Sequence, residues 1–137
     1  MKRAVFLSYV FIFLLMVVSS YAADNWVSVA GRIDAIVKQA LQSYENGKVA
    51  EAMEMVADAY FGVFEGETAN MEIAVRRYLS LKKATELEKG FGDIRKAMHN
   101  KAPLLDIKKQ AANLMEALKG AGRELDRKGV GLGNFGF

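Results

Sequence analysis

The chain has no cysteine, one proline, one histidine and one tryptophan in 137 residues, and each scarcity removes a class of chemistry. Without thiols there is no disulfide and no cysteine nucleophile, and zinc sites built on thiolates are excluded. With His99 as the sole imidazole, no histidine cluster forms within one chain, and the Glu-x-x-His pairs of di-iron bundles are missing. His99 reads as a surface residue near a helix C-terminus. A haem bundle would need one His and one Met as axial ligands. The methionines beyond Met1 and Met16 stand at core spacing, where they fill gaps, and no haem is expected. Neither a Gly-x-Ser-x-Gly elbow nor a His-Glu-x-x-His pair occurs. Gly129, Gly131, Gly133 and Gly136 precede no helix and so cannot cradle a phosphate. Nothing here points to an enzyme.

Only one apolar run is long. Lys2 and Arg3 precede Ala4 to Val18, which gives way to Ser19, Ser20, Tyr21 and Ala22. A positive start, an apolar stretch and small residues at Ser20 and Ala22 make a secretory signal cleaved after Ala22. The run falls short of the ~20 residues that cross a bilayer, and no later stretch is apolar enough to span, so no membrane insertion is expected after cleavage. This organisation divides the chain into a signal peptide (1–22), a helical domain (23–128) and a loose tail (129–137), with the mature protein periplasmic or secreted. The charge balance changes with the cut. Of 19 basic and 16 acidic residues, removing Lys2 and Arg3 leaves 17 against 16. A nearly neutral domain without a basic run gives no ground for nucleic-acid binding. The pairs Arg76–Arg77, Lys82–Lys83 and Lys108–Lys109 read as solvated faces.

Helical periodicity fills the rest. Trp26, Ala30, Ile33, Val37, Ala40 and Tyr44 recur at three- and four-residue spacing, which predicts a helix over 26–45 closed by Asn46 and Gly47. A second helix over 48–65 carries Val49, Met53, Val56, Tyr60, Val63 and Phe64 on one side. Asn70 is a candidate cap for a short helix over 71–79, and Ser80 for a re-start. The next helix, 81–100, shows Leu87, Phe91, Ile94 and Met98, with Gly90 and Gly92 as marks of close packing. Pro103 opens a last helix to Arg127 along Ile107, Ala111, Leu114, Leu118 and Leu125. Four long amphipathic helices with short joints predict an all-α, up-down four-helix bundle with a split third helix.

The chemistry-bearing feature is a row of acids. Glu51, Glu54, Asp58 and Glu65 follow at spacings of three, four and seven, which puts them on one helical stripe. There they repel by a few tenths of a kcal/mol per pair. A bound cation would relieve that, and hard oxygen ligands suit iron(III), Mg, Ca and Mn. The competing reading is a wet helix face neutralised by basic residues from a neighbour. Phe61 borders the stripe.

A resemblance adds to this. Asp58, Ala59, Tyr60, Phe61, then Phe64, Glu65, then Met71, Glu72, Ala74, and Lys83, Glu86, Leu87, Glu88, Phe91, Ile94 and Arg95 together resemble the extracytoplasmic helical region of bacterial high-affinity iron permeases. The likeness covers about a third of the chain. The permease's membrane Arg-Glu-x-x-Glu motif does not occur, so the chain looks like the periplasmic module without the membrane domain. The resemblance implies iron uptake, with an iron ion on Asp58, Glu65, Glu72, Glu86 and Glu88, or docking to an inner-membrane iron permease. Against these stand ordinary structural roles: Glu72 lies in a helix first turn, which favours a carboxylate without any ligand, and Glu86 and Glu88 flank the Leu87 and Phe91 stripe. The alternative is a metal-independent interaction module in which Phe61, Tyr78, Phe135 and Phe137 contact a partner protein.

Overall fold

Capping residues set the helix ends in the computed structural model, which describes residues 24–66 and 69–133. The signal segment and the last four residues, Phe135 and Phe137 among them, lie outside the described residues. Helix α1 spans Trp26–Glu45, and the Asn25 side chain accepts from the Ser28 N–H at 2.8 Å, supplying one of its orphan donors with a partner. It closes at Gly47, whose φ of 79° is open to glycine, while the Lys48 N–H reaches the Ser43 carbonyl at 2.9 Å. Helix α2 spans Val49–Asp58 and continues as a π-helical turn over Ala59–Phe64. After α3, Met71–Tyr78, the Ser80 hydroxyl accepts from the Lys83 N–H at 3.0 Å and starts α4, Leu81–His99. Pro103 immediately precedes α5, Leu104–Arg127. Asn70 departs from expectation. Its side chain makes no capping bond; its backbone turns left-handed at φ 52° instead, a conformation asparagine tolerates better than most residues.

Contacts along the helices run head to tail. Trp26 meets Asp126, Asp34 meets Lys119 and Tyr44 meets Ala102, so α1 and α5 are antiparallel. Lys83 with Glu124 and Gly90 with Leu114 set α4 against α5 in the same way. Helix α2 packs on both α1 and α4, which closes a ring of four. Short α3 lies at the end shared by Phe64 and Trp26, touching the π turn, α4 and α5. The described residues are all helix, turn and loop, and the expected all-α bundle with a split third leg is the fold observed. No helix among them is long and apolar enough to cross a membrane.

The core follows the predicted stripes of α1, α4 and α5: Ile33, Val37, Leu87, Phe91, Ile94, Met98, Ile107, Leu118 and Leu125 are all buried. On α2 the face differs. Ala52, Val56, Ala59 and Phe64 are buried, whereas Val49, Met53, Tyr60 and Val63 are only half-buried. Small residues let α2 approach its neighbours closely, so the larger side chains flank the contact line. Glycines divide similarly. A Cβ on Gly90 would meet Leu114 Cδ1 at 2.7 Å, as close packing requires, but one on Gly92 would meet nothing within 4 Å.

The expected loose tail is docked as far as it is described. Gly129, at φ 71°, turns the chain after α5. The Trp26 indole N–H then donates to the Val130 carbonyl at 2.7 Å, the Gly133 N–H donates to the Ala69 carbonyl at 3.3 Å, and Val130 and Leu132 rest on the core. A buried indole needs a polar partner, and the tail supplies one.

Gly122 marks the tightest crossing, because a Cβ there would stand 2.9 Å from the Trp26 carbonyl oxygen and 3.1 Å from the Val27 nitrogen. Backbone cannot rotate aside as a side chain can. Gly122→Ala is expected to lose about 1–3 kcal/mol in urea denaturation despite its better helix propensity. Gly31→Ala, on the exposed side of α1 with nothing within 4 Å, is expected to gain about 0.5–1 kcal/mol.

Candidate functional site: an acid, arginine and tyrosine cluster beside an aromatic cleft

The π turn decides where the predicted acids go. A turn closed by i→i+5 bonds takes up one more residue than an α turn, and the Glu65 N–H accordingly bonds the Tyr60 carbonyl at 2.8 Å. Glu65 therefore leaves the stripe that α-helical spacing assigned to it. Its carboxylate instead accepts from the Tyr60 hydroxyl at 2.5 Å. The rest of the row stays apart: Glu51 accepts from the Ser43 hydroxyl at 3.0 Å and lies 3.7 Å from Lys48, while Glu54 and Asp58 are exposed. Glu86 faces outward beside Lys82, 3.9 Å away.

Glu72 and Glu88 are brought together, although 16 positions separate them. Arg76, one turn along α3 from Glu72, donates through Nε to Glu72 Oε1 at 2.6 Å, holds the same oxygen through Nη2, and reaches Glu88 Oε1 on α4 at 3.0 Å. Arg76, exposed as the sequence led one to expect, thus also clamps two helices. Glu72 is buried, where an unpaired carboxylate would be costly. Tyr60 feels Glu65, Glu88 and Glu72 at once. Burial first, then the bond to Glu65 and these charges, hold its phenol above the usual range, so it remains a proton donor. Burial likewise pushes the Glu88 carboxyl up. The hydrogen bond and charge of Glu72 act in the same sense, against the opposing pull of Arg76.

Of the five proposed ligands, then, Glu65 bonds Tyr60 and Glu72 and Glu88 meet at Arg76, while Asp58 and Glu86 stand elsewhere. Among the described residues no group of three or more His, Asp or Glu side chains is placed to hold a metal ion. Arg76 lies between two of the acids, where a cation would have to sit.

Next to this cluster a cleft of about 210 Å³ opens between the π turn and α4, lined by Tyr60, Phe61, Glu88, Phe91, Gly92 and Arg95. Its aromatic side is tightly built. Tyr60 meets Phe61 edge-on at 4.8 Å and 75°, and Phe91 at 5.3 Å, with Phe64 5.4 Å behind Phe91. Phe61 is 62% exposed and forms the rim, and Tyr78 is exposed near the junction of α3 and α4. The wider groove between α4 and α5, about 620 Å³, runs over Gly90, Ala117 and Gly120. Its charged rim is already paired: Lys83 with Glu124, Lys82 with Glu86 and Lys89 with Asp93.

Sequence reasoning passed over Arg76, Tyr60, Gly92 and Arg95 as functional residues. A signal existed for Arg76, four residues after Glu72, at the spacing where opposite charges pair on a helix. Compared with protein-family models, curated proteins and solved structures, the chain finds no match.

The Glu88 shift has a testable sign. A carboxyl whose folded pKa lies above its unfolded value binds more protons when folded, so its favourable contribution is present at low pH and is lost as pH rises through the folded pKa. Relative to Glu88→Gln, the wild type is therefore expected to be more stable at pH 4.5 than at pH 7. Paired urea denaturation curves at the two pH values check this.

Proposed function

We propose that the chain is a non-catalytic, exported helical module that works by docking to a membrane protein of an iron-uptake system, without a resident metal. The observation that carries this reading is a contrast within one end of the bundle. The acids of the cluster are satisfied internally by Arg76 and by the Tyr60 hydroxyl, whereas the large aromatic Phe61 is left in solvent on the π turn, edge-on to Tyr60. A monomer gains nothing from exposing that ring, and aromatic anchors held in place ahead of binding are the usual strong points of protein interfaces. The extracytoplasmic location rests on the signal-like start of the sequence, and the iron permease is the partner that the sequence resemblance nominates.

A second reading, weak cation binding through carboxylates, is favoured by the meeting of Glu72 and Glu88 at Arg76. It requires the ion to displace Arg76 from two carboxylates and to bind beside a phenol that resists ionisation.

Two measurements separate the readings. Calorimetric titration of the mature protein with ferrous and ferric ions is expected to give no saturable heat; a site removed by joint Glu72→Gln and Glu88→Gln substitution would establish the cation reading instead. Binding to the iron permease of the same genome, held in nanodiscs, is expected to weaken on the order of tenfold or more in Phe61→Ala and to be indifferent to chelator. Loss of binding on chelation, or an unchanged affinity for Phe61→Ala, would overturn docking through this face.

A further inference from the structure

Among the described residues, Arg95 alone has a buried side-chain polar atom left without a hydrogen-bond partner. Its Nε atom is buried and has no hydrogen-bond partner, and the guanidinium makes no ion pair with a described residue, while the acid nearest to it in the cleft, Glu88, is held by Arg76. Burying a guanidinium donor without an acceptor costs free energy that a surface arginine would avoid by turning to water. The position is built, since Arg95 lines the same cleft as three aromatic rings.

The floor of the cleft explains its shape. Glu88, Gly92 and Arg95 stand at i, i+4 and i+7 along α4, on one face, with about 10 Å of rise between the first and the last. Gly92 contributes no side chain, and a Cβ there would meet nothing within 4 Å. The glycine costs the helix roughly 1 kcal/mol against alanine, yet it accommodates no neighbour. What it leaves is open space in front of Tyr60, Phe61 and Phe91. The cleft, about 210 Å³ and open to solvent on one side, is of a size to take a single ring.

We propose that this cleft binds a small carboxylate carrying an apolar body about the size of one ring, with the carboxylate on Arg95 and the body against Tyr60, Phe61 and Phe91 over Gly92. Arginine meets a carboxylate in a planar fork, and such charge-assisted bonds are about twice as strong as neutral ones. Glu88 stands two turns away from Arg95 along α4, with its Oε1 drawn to Arg76 on α3. The inference goes beyond docking and stands or falls separately from it.

The experiment is a titration of the isotopically labelled mature protein followed by amide NMR shifts. The probes are 3-phenylpropionate, its neutral amide, and the peptide N-acetyl-Gly-Gly-Phe with a free C-terminus. Saturable shifts around residues 60–62 and 88–95 are expected with 3-phenylpropionate, with binding of the amide weaker on the order of tenfold. Arg95→Met should abolish the preference for acid over amide, Arg95→Lys should retain part of it, and Gly92→Leu should block both probes while the thermal midpoint stays near that of the wild type. Binding of the peptide as tightly as the free acid would identify a chain terminus as the source of the carboxylate, and weaker binding would identify a free acid. Equal affinity for acid and amide, an unchanged preference in Arg95→Met, or no saturable shift with either carboxylate would overturn the proposal.

Discussion

The bundle depends on one junction, where the start of α1 is held by the end of α5. Asp126 accepts from the backbone N–H groups of Trp26 at 2.9 Å and Val27 at 3.1 Å, so a carboxylate from 100 residues away serves the positive end of α1. The same carboxylate would be disfavoured at the negative end of its own helix, and the pairing offsets that. Gly122, one turn earlier, lets the two backbones approach to a distance that no side chain would allow. The Trp26 ring, fully buried, then draws the tail over the junction through the Val130 carbonyl.

Everything that shapes the cleft is placed from this end. The tail reaches Ala69 through Gly133, which ties the loop before α3 to the end of α5. Helix α3, buried through Met71, Ala74 and Val75, packs on α4, and Arg76 on it is within reach of Glu88 there. The π turn sits beneath, and its extra residue turns Glu65 towards Tyr60 and leaves Phe61 outside. π turns inside α-helices recur at functional positions because they redirect side chains without ending the helix.

Of the four acids that helical spacing puts in a row, Glu51 has Lys48 at 3.7 Å and Glu65 accepts from the Tyr60 hydroxyl, while Glu54 and Asp58 stand exposed; Glu72, Glu86 and Glu88, off that row, each have a basic neighbour at 4 Å or less. Two further features stand out, a large ring in water at Phe61 and a buried arginine donor without an acceptor at Arg95. Both call for a partner or ligand with an apolar body, and one of them calls for an acceptor.

What the sequence determined by itself is the helices. Apolar residues at a 3.6-residue period bury one side whatever the neighbours are, and local caps such as Asn25, Gly47 and Ser80 act within a few residues, so five helices and the split at Ser80 were legible from spacing. The tertiary structure alone decided which polar groups meet. Glu72 and Glu88 share Arg76 because α3 packs on α4, and Glu65 turns to Tyr60 through a π turn that α-helical counting does not contain. The docking of Val130 on Trp26 was likewise hidden, since a glycine-rich tail reads as loose until a buried indole elsewhere needs its carbonyl. Periodicity is a local property and survives in one dimension; the pairing of charges, the opening at Gly92 and the isolation of Arg95 depend on distances between helices, which a single chain of letters does not carry.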